Sequence, residues 1–235
     1  MARLYFRQWL SGADYATDDP VAGQMVNYAY AIGDADTGDA VLVDPAYDVA
    51  ALLELLGDDS MRCVGAVATH YHADHVGGSL AGYRIEGIAS MLELLDVPVH
   101  VQADEAPWIA RTTGVDAELV RHAAGDTVAV GGVMIELLHT PGHTPGSQCL
   151  LVEGHLVTGD TLFLDGCGRT DLPGSDPAAM YETLTQRLTA IPDETLVCPG
   201  HHYSPEPTLT MREVRARNAV LAPRSPDEWF AAFTR

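Results

Sequence analysis

Three imidazoles and a carboxylate fall within six consecutive positions, His70, His72, Asp74 and His75, in the stretch Thr69-His70-Tyr71-His72-Ala73-Asp74-His75. Neutral imidazole and carboxylate are the ligand set of zinc, iron and manganese at mixed nitrogen and oxygen sites. A cluster of them is expensive to bury without a cation. Histidines at i and i+2 of an extended segment project to the same side, while Asp74 and His75, after a turn, can face a neighbouring spot. That geometry suits two adjacent ions better than one. A polar loop with chance histidines is the plain alternative, but ten histidines in 235 residues are too few to make such a cluster easily.

The surrounding pattern supplies strands to deliver these residues. Residues 63–69 read as a buried strand running into the cluster, and Gly77-Gly78 lets the backbone turn closely beneath it. Upstream, 25–32 and 40–43 read as a hairpin joined by Asp- and Gly-rich turn chemistry, followed by a helix over 48–56 that Gly57 stops. Downstream come a helix over 85–94, a strand over 97–102 and a helix over 105–112. Strand pairs follow at 127–130 with 133–138 and at 148–152 with 155–158, turning at Gly131-Gly132 and Glu153-Gly154. Asp176-Pro177 opens a helix predicted to reach residue 190, and 195–198 is the last strand. A helix over 210–221 carries Arg212, Arg215 and Arg217, most simply a solvated face.

Further candidate residues recur in order at strand ends: His143 in His139-Thr-Pro-Gly-His143-Thr, Asp160 in Thr158-Gly-Asp160, and His201 in Pro199-Gly-His201. With the first cluster, this ordered pattern resembles the metallo-β-lactamase superfamily over nearly the whole chain. Because Gly166-Cys-Gly-Arg-Thr-Asp171 follows Asp160, the resemblance within it is to the branch of glyoxalase II (hydroxyacylglutathione hydrolase) and persulfide dioxygenase. It implies an α/β fold, a four-layer αββα sandwich, in one domain over residues 1–235 with a short C-terminal helical tail.

Carried over residue by residue, the resemblance puts His70, His72 and His143 on one divalent ion, Asp74, His75 and His201 on a second, and Asp160 between them. Zinc is the expected metal, with iron or manganese as alternatives. Asp44 resembles the family's structural aspartate and His139 a supporting residue, while His100 and His122 fall outside the ligand pattern. Asp74, Asp160 and Arg169 are the candidate catalytic residues. Arg169 has two readings, a salt bridge to Asp171 or Asp165, or contact with substrate.

Two ions sharing one water lower its pKa from about 15.7 toward 7, so hydroxide becomes available to attack a carbonyl. The leading expectation is therefore hydrolysis of a small acyl-thiol thioester. The alternative is a persulfide dioxygenase with a single iron on His70, His143 and Asp160, and a third reading is a lactone or ester hydrolase. In glyoxalase II a helical C-terminal extension carries much of the thiol-binding surface. Here the chain ends after one or two helices, which weakens the case for glutathione as carrier.

Composition narrows the partners. The formal charge is −20, from 33 acidic and 13 basic residues, and there is no lysine, so every basic residue is arginine. Such a surface repels nucleic-acid phosphates and anionic membranes, and Schiff-base chemistry on lysine is excluded. Cys63 and Cys149 sit in apolar runs and read as core, while Cys167 and Cys198 adjoin the motif residues. No CxxC spacing occurs. No secretory signal or membrane span is readable, so a cytoplasmic protein is expected. An oligomer is possible, with Trp108 and Trp229 as candidate interface residues.

Overall fold

The computed structural model describes residues 2–222 and 224–233 and leaves Met1, Pro223, Thr234 and Arg235 outside. In its first half run β1 (Leu4–Leu10), α1 (Pro20–Met25), β2 (Tyr28–Asp34), β3 (Asp39–Val43), α2 (Val49–Asp58), β4 (Arg62–Val67) and the single turn α3 (Ala73–Val76). A small hairpin of β5 (Gly78–Leu80) and β6 (Tyr83–Ile85) precedes α4 (Ile88–Leu94), β7 (Val99–Gln102), α5 (Ala106–Thr113) and β8 (Leu119–His122). The second half holds β9 (Thr127–Val130), β10 (Val133–His139), β11 (Gln148–Val152), β12 (His155–Gly159), α6 (Pro177–Glu182), β13 (Leu196–Pro199), β14 (Leu209–Thr210), α7 (Met211–Arg217) and α8 (Pro226–Phe233).

The strands form two six-stranded sheets, ordered β1-β2-β3-β4-β7-β8 and β14-β13-β12-β11-β10-β9. Alternation along the strands explains how they pack, because successive side chains face opposite sides of a sheet. From β2 and β3, Tyr28, Tyr30, Ile32, Val41 and Val43 point between the sheets, where they meet Val133, Ile135, Leu137, Leu150 and Val157 of the second sheet. The intervening Ala29, Ala31 and Ala40 face outward, and these small side chains let α2, α4 and α5 lie close on the first sheet through Leu52, Leu56, Ile88, Met91 and Ile109. On the far side of the second sheet, Cys149, Leu156 and Val197 pack against Met180, Val214 and Trp229 of the helices. The result is the four-layer αββα sandwich, a single domain with one shared layer between its sheets.

Several elements depart from the sequence reading. The segment 25–27 is not strand: α1 ends at Met25, Val26 caps it with a left-handed φ of 50°, and β2 starts only at Tyr28. Its backbone instead meets the loop after β13, with Tyr28 N–H donating to Gly200 O at 2.8 Å and His202 N–H to Val26 O at 2.9 Å. Gly57 does not stop α2, which runs to Asp58. A side chain there would meet nothing within 4 Å, so this glycine sits on an open face and costs only propensity. Residue 85 belongs to β6, and α4 begins at Ile88. The helix opened by Asp176 widens to a π turn over Thr183–Arg187 and tightens to a 3-10 turn over Leu188–Ala190. Trp229 is fully buried, its indole N–H donating to Val220 O at 3.0 Å, so it belongs to the core and not to an interface.

One side chain ties the two sheets together beside the last motif. Tyr30 of β2 is fully buried, accepts from Gln8 Nε2 at 2.9 Å and donates to the carbonyl of Pro199, at the end of β13, at 2.6 Å. Tyr30→Phe removes that donor while keeping the ring. It is expected to lower unfolding free energy by about 1–2 kcal/mol with an unchanged m value in urea titration. An unaltered midpoint would refute the contribution.

Candidate metal centre

The sequence-predicted ligand residues converge at one rim, where β4, β10, β12 and β13 end. His72 Nδ1 lies 3.1 Å from His70 Nε2 and 2.9 Å from His143 Nε2. On the other side His75 Nε2 is 3.2 Å from His201 Nε2, and Asp74 Oδ2 is 3.5 Å from each of those nitrogens. Asp160 faces both groups, its Oδ1 3.4 Å from His75 Nε2 and its Oδ2 3.6 Å from His143 Nε2 and 3.4 Å from His201 Nε2. Two ligands on one tetrahedral ion at 2.0–2.1 Å stand roughly 3.3 Å apart, which is the spacing seen here. Asp160 Oδ1 is shielded from solvent and has no hydrogen-bond partner. An orphaned buried carboxylate oxygen among converging lone pairs fits a cation and little else.

The outer edges of the rings are held in the tautomer that metal binding needs. His143 Nδ1–H donates to Arg169 O at 2.8 Å and His201 Nδ1–H to Met25 O at 2.8 Å. His75 Nδ1–H donates to Asp44 Oδ2 at 2.9 Å. Thr69 Oγ1 lies 3.0 Å from His70 Nδ1 and passes its own proton to Asp44 Oδ2 at 2.6 Å. Asp44 also accepts from Thr69 N–H at 2.7 Å, so it backs the cluster and does not converge with it. Its backbone sits in the left-handed region, φ 51°, a conformation disfavoured for a residue with a side chain. Two glycines are fixed by contact: a Cβ on Gly200 would lie 2.5 Å from Asp160 Oδ1, and one on Gly168 2.7 Å from His143 Nδ1.

The electrostatics divide the cluster. Burial, then the neighbouring His75, pushes His70 well below the usual imidazole range, and burial with His143 takes His72 down to about 4. Burial also lowers His143. Burial opposes charge at His75 too, yet Asp74 and Asp160 raise it well above its ordinary value. Burial would lift Asp160, but the His201 and His75 rings hold it well below the carboxylate range. One side therefore presents neutral lone pairs, while the other stabilises positive charge.

Comparison with known proteins agrees with this geometry: residues 22–201 match the Metallo-beta-lactamase superfamily. The chain belongs to that superfamily. It is 36% identical over 206 residues to a hydroxyacylglutathione hydrolase of Xanthomonas campestris pv. campestris, covering 86% of this chain and 71% of that one. It is 31% identical over 198 residues to the human mitochondrial persulfide dioxygenase ETHE1, covering 83% and 71% of the two chains. The crystal structure of ETHE1 from Myxococcus xanthus superposes with a TM-score of 0.78 at 30% identity, over 97% of this chain and 88% of that one. The cluster thus fits a dinuclear or mononuclear metal site of this superfamily, in an enzyme whose relatives include both hydrolases and dioxygenases.

Other superfamily residues fall less simply. Arg169 stands at the rim of a cavity of about 720 Å³ over the cluster, its guanidinium paired bidentately with Asp171 at 2.9 and 2.8 Å. Its contact with the cluster is through its backbone carbonyl. Cys167 lines the cavity, whereas Cys198 is buried between the sheets. His139 bonds Pro145 O at 2.9 Å across its own loop, and His100 and His122 pair with each other at 2.9 Å on β7 and β8. No described helix is long and apolar enough to cross a membrane.

Two supporting residues escaped the sequence reading. Asn27 donates to Asp74 Oδ2 at 3.0 Å, lies 3.2 Å from His75 Nε2 and is oriented by the Tyr47 hydroxyl at 2.8 Å. Its only signal was a lone amide in an apolar run. Glu105, fully buried at the start of α5, accepts Tyr71 N–H at 2.7 Å and Gly146 N–H at 2.6 Å, clamping the two histidine loops together. Burial lifts its carboxyl to about 7, against the pull of Thr144, Gly146 and Tyr71. Glu105→Gln turns an NH₂ toward one of these donors. We expect a loss of about 1–3 kcal/mol in thermal unfolding and a fall of about 10- to 100-fold in metal affinity by competitive chelation. Wild-type values in both would refute the clamp.

Proposed function

We propose that the protein is a dinuclear metal-dependent hydrolase of small acyl-thiol thioesters. The observation that carries this reading is Asp160, whose Oδ2 lies between His143 of the His70–His72–His143 group and His201 of the Asp74–His75–His201 group, while its Oδ1 faces His75. A single-ion site has no need of the second group, yet its three residues are buried and individually buttressed by Asp44, Asn27 and the Met25 carbonyl. Two divalent ions, if held by these seven residues, would supply Lewis acidity and lower the pKa of a bound water toward neutrality.

The chain's own groups do the rest. Asp160 joins the two halves of the cluster and keeps them at one spacing. Asn27 fixes one Asp74 oxygen, which orients that carboxylate toward the reacting centre. Phe163 and Tyr203 pack their rings against His201 at the edge of the approach. A thiolate leaving group, with a parent pKa of about 8.5, needs no dedicated acid, and Arg169, exposed and paired with Asp171, is not asked to act as one.

A second reading, a mononuclear iron persulfide dioxygenase using His70, His143 and Asp160, is supported by the likeness to the ETHE1 proteins. Elemental analysis of protein purified without added metal separates the two. Two divalent ions per chain and turnover of a thioester panel are expected. His72→Ala should lose one ion and reduce turnover more than about a hundredfold, beyond the usual cost of a lost outer hydrogen bond. One iron per chain, with oxygen uptake on a persulfide, would replace the hydrolase reading.

A further inference from the structure

The cavity over the cluster has apolar walls, with Met25, Leu80, Phe163, Leu172 and Tyr203 flanking the approach to His72 and Asp160. Tyr203 lies flat on His201, ring centroids 4.6 Å apart, and Phe163 meets it edge-on at 5.1 Å. Among the described residues lining the cavity, Arg169 is the single arginine, the histidines there belonging to the cluster, and Asp171 already accepts from its Nε and Nη2. The arginines of α7 are engaged elsewhere, Arg212 with Glu194, Arg215 with Asp193, and Arg217 with Asp165 and Glu206. The Tyr71 hydroxyl at the rim donates to Pro173 O at 2.8 Å. A carboxylate entering here meets Arg169 only together with Asp171, a locally neutral pair, on a chain of net charge −20. Withdrawing a carboxylate from water without its own cation is unfavourable, whereas an apolar chain gains from burial against these walls.

We propose that the thiol half of the substrate is uncharged and the acyl half apolar: the site prefers thioesters of neutral, amide-bearing thiols to those of glutathione, whose two carboxylates find no unpaired arginine among the described residues lining the cavity, Arg111 lying behind its wall over the Trp108 ring. The inference rests on the hydrolase reading for its chemistry. Water oxygen bonds to the carbonyl carbon and the C–S bond breaks with its electron pair leaving on sulfur. Thioester and water thus give carboxylate, thiol and one proton, with no oxidant or reductant required.

The test compares octanoyl thioesters of N-acetylcysteamine and of glutathione on zinc-loaded protein. The neutral thioester should have the higher kcat/KM by about tenfold or more, mainly through KM. Leu80→Arg, which adds a cation to the wall, should raise kcat/KM for the glutathione thioester about threefold or more without raising that for the neutral one. Binding of the two S-octyl thioethers, read by calorimetry, needs no turnover. If neither thioester is hydrolysed, the hydrolase reading falls, and the thioether ratio still decides this inference. Equal or tighter binding of the glutathione thioether would overturn it, and loss of that binding in Arg169→Gln would identify Arg169 as the counter-charge.

Discussion

Imidazoles crowded around one buried space must turn a proton outward if their inward nitrogens are to stay free, and much of this structure serves that need. His70, His75, His143 and His201 each find an outward partner, in Thr69, Asp44, the Arg169 carbonyl and the Met25 carbonyl. These partners come from four separate pieces of chain. Three of the pieces are irregular at or just beyond the partner: Asp44 takes a left-handed φ, Val26 does the same just after Met25, which closes α1, and 166–171 forms no helix or strand. Asp44 and Val26 are thus strained positions set at or beside an acceptor.

The apolar layers make that strain affordable. Between the sheets, side chains from β2, β3, β10, β11 and β12 interlock; β3, β10 and β12 run to the rim, and their antiparallel neighbours β2 and β11 start from it. Glu105 and Tyr30 then join loops and strands that the core alone leaves independent. Glu105 links the two histidine loops by their amides, and Tyr30 links β2 to the carbonyl before the final histidine. Position at the rim is thus fixed twice, by packing beneath and by hydrogen bonds at the level of the cluster.

What could be read from sequence was periodic or clustered. The HxHxDH spacing announced chemistry, and the strand pairs 127–130 with 133–138 and 148–152 with 155–158 are both found in the structure. The Gly131-Gly132 and Glu153-Gly154 turns were equally legible. Single residues acting at a distance were not. Asn27 and Glu105 meet partners 47 and 41 positions away, and no local pattern encodes such a contact. β1 and β8 were missed because their pairing, and not their composition, makes them strands. The 25–27 segment looked like the start of a strand by hydrophobicity, but the need to place the Met25 carbonyl against His201 overrode propensity.

The cluster draws on residues from 70 to 201, and its backing reaches to Met25. Synthesis therefore delivers it in instalments. While the first sheet is emerging, His70, His72, Asp74 and His75 are present with Asp44 and Thr69, but His143, Asp160 and His201 do not yet exist. Only after β13 has paired with β12 does His201 arrive, along with the backbone that meets Asn27. A complete cluster is thus a report that both sheets have docked.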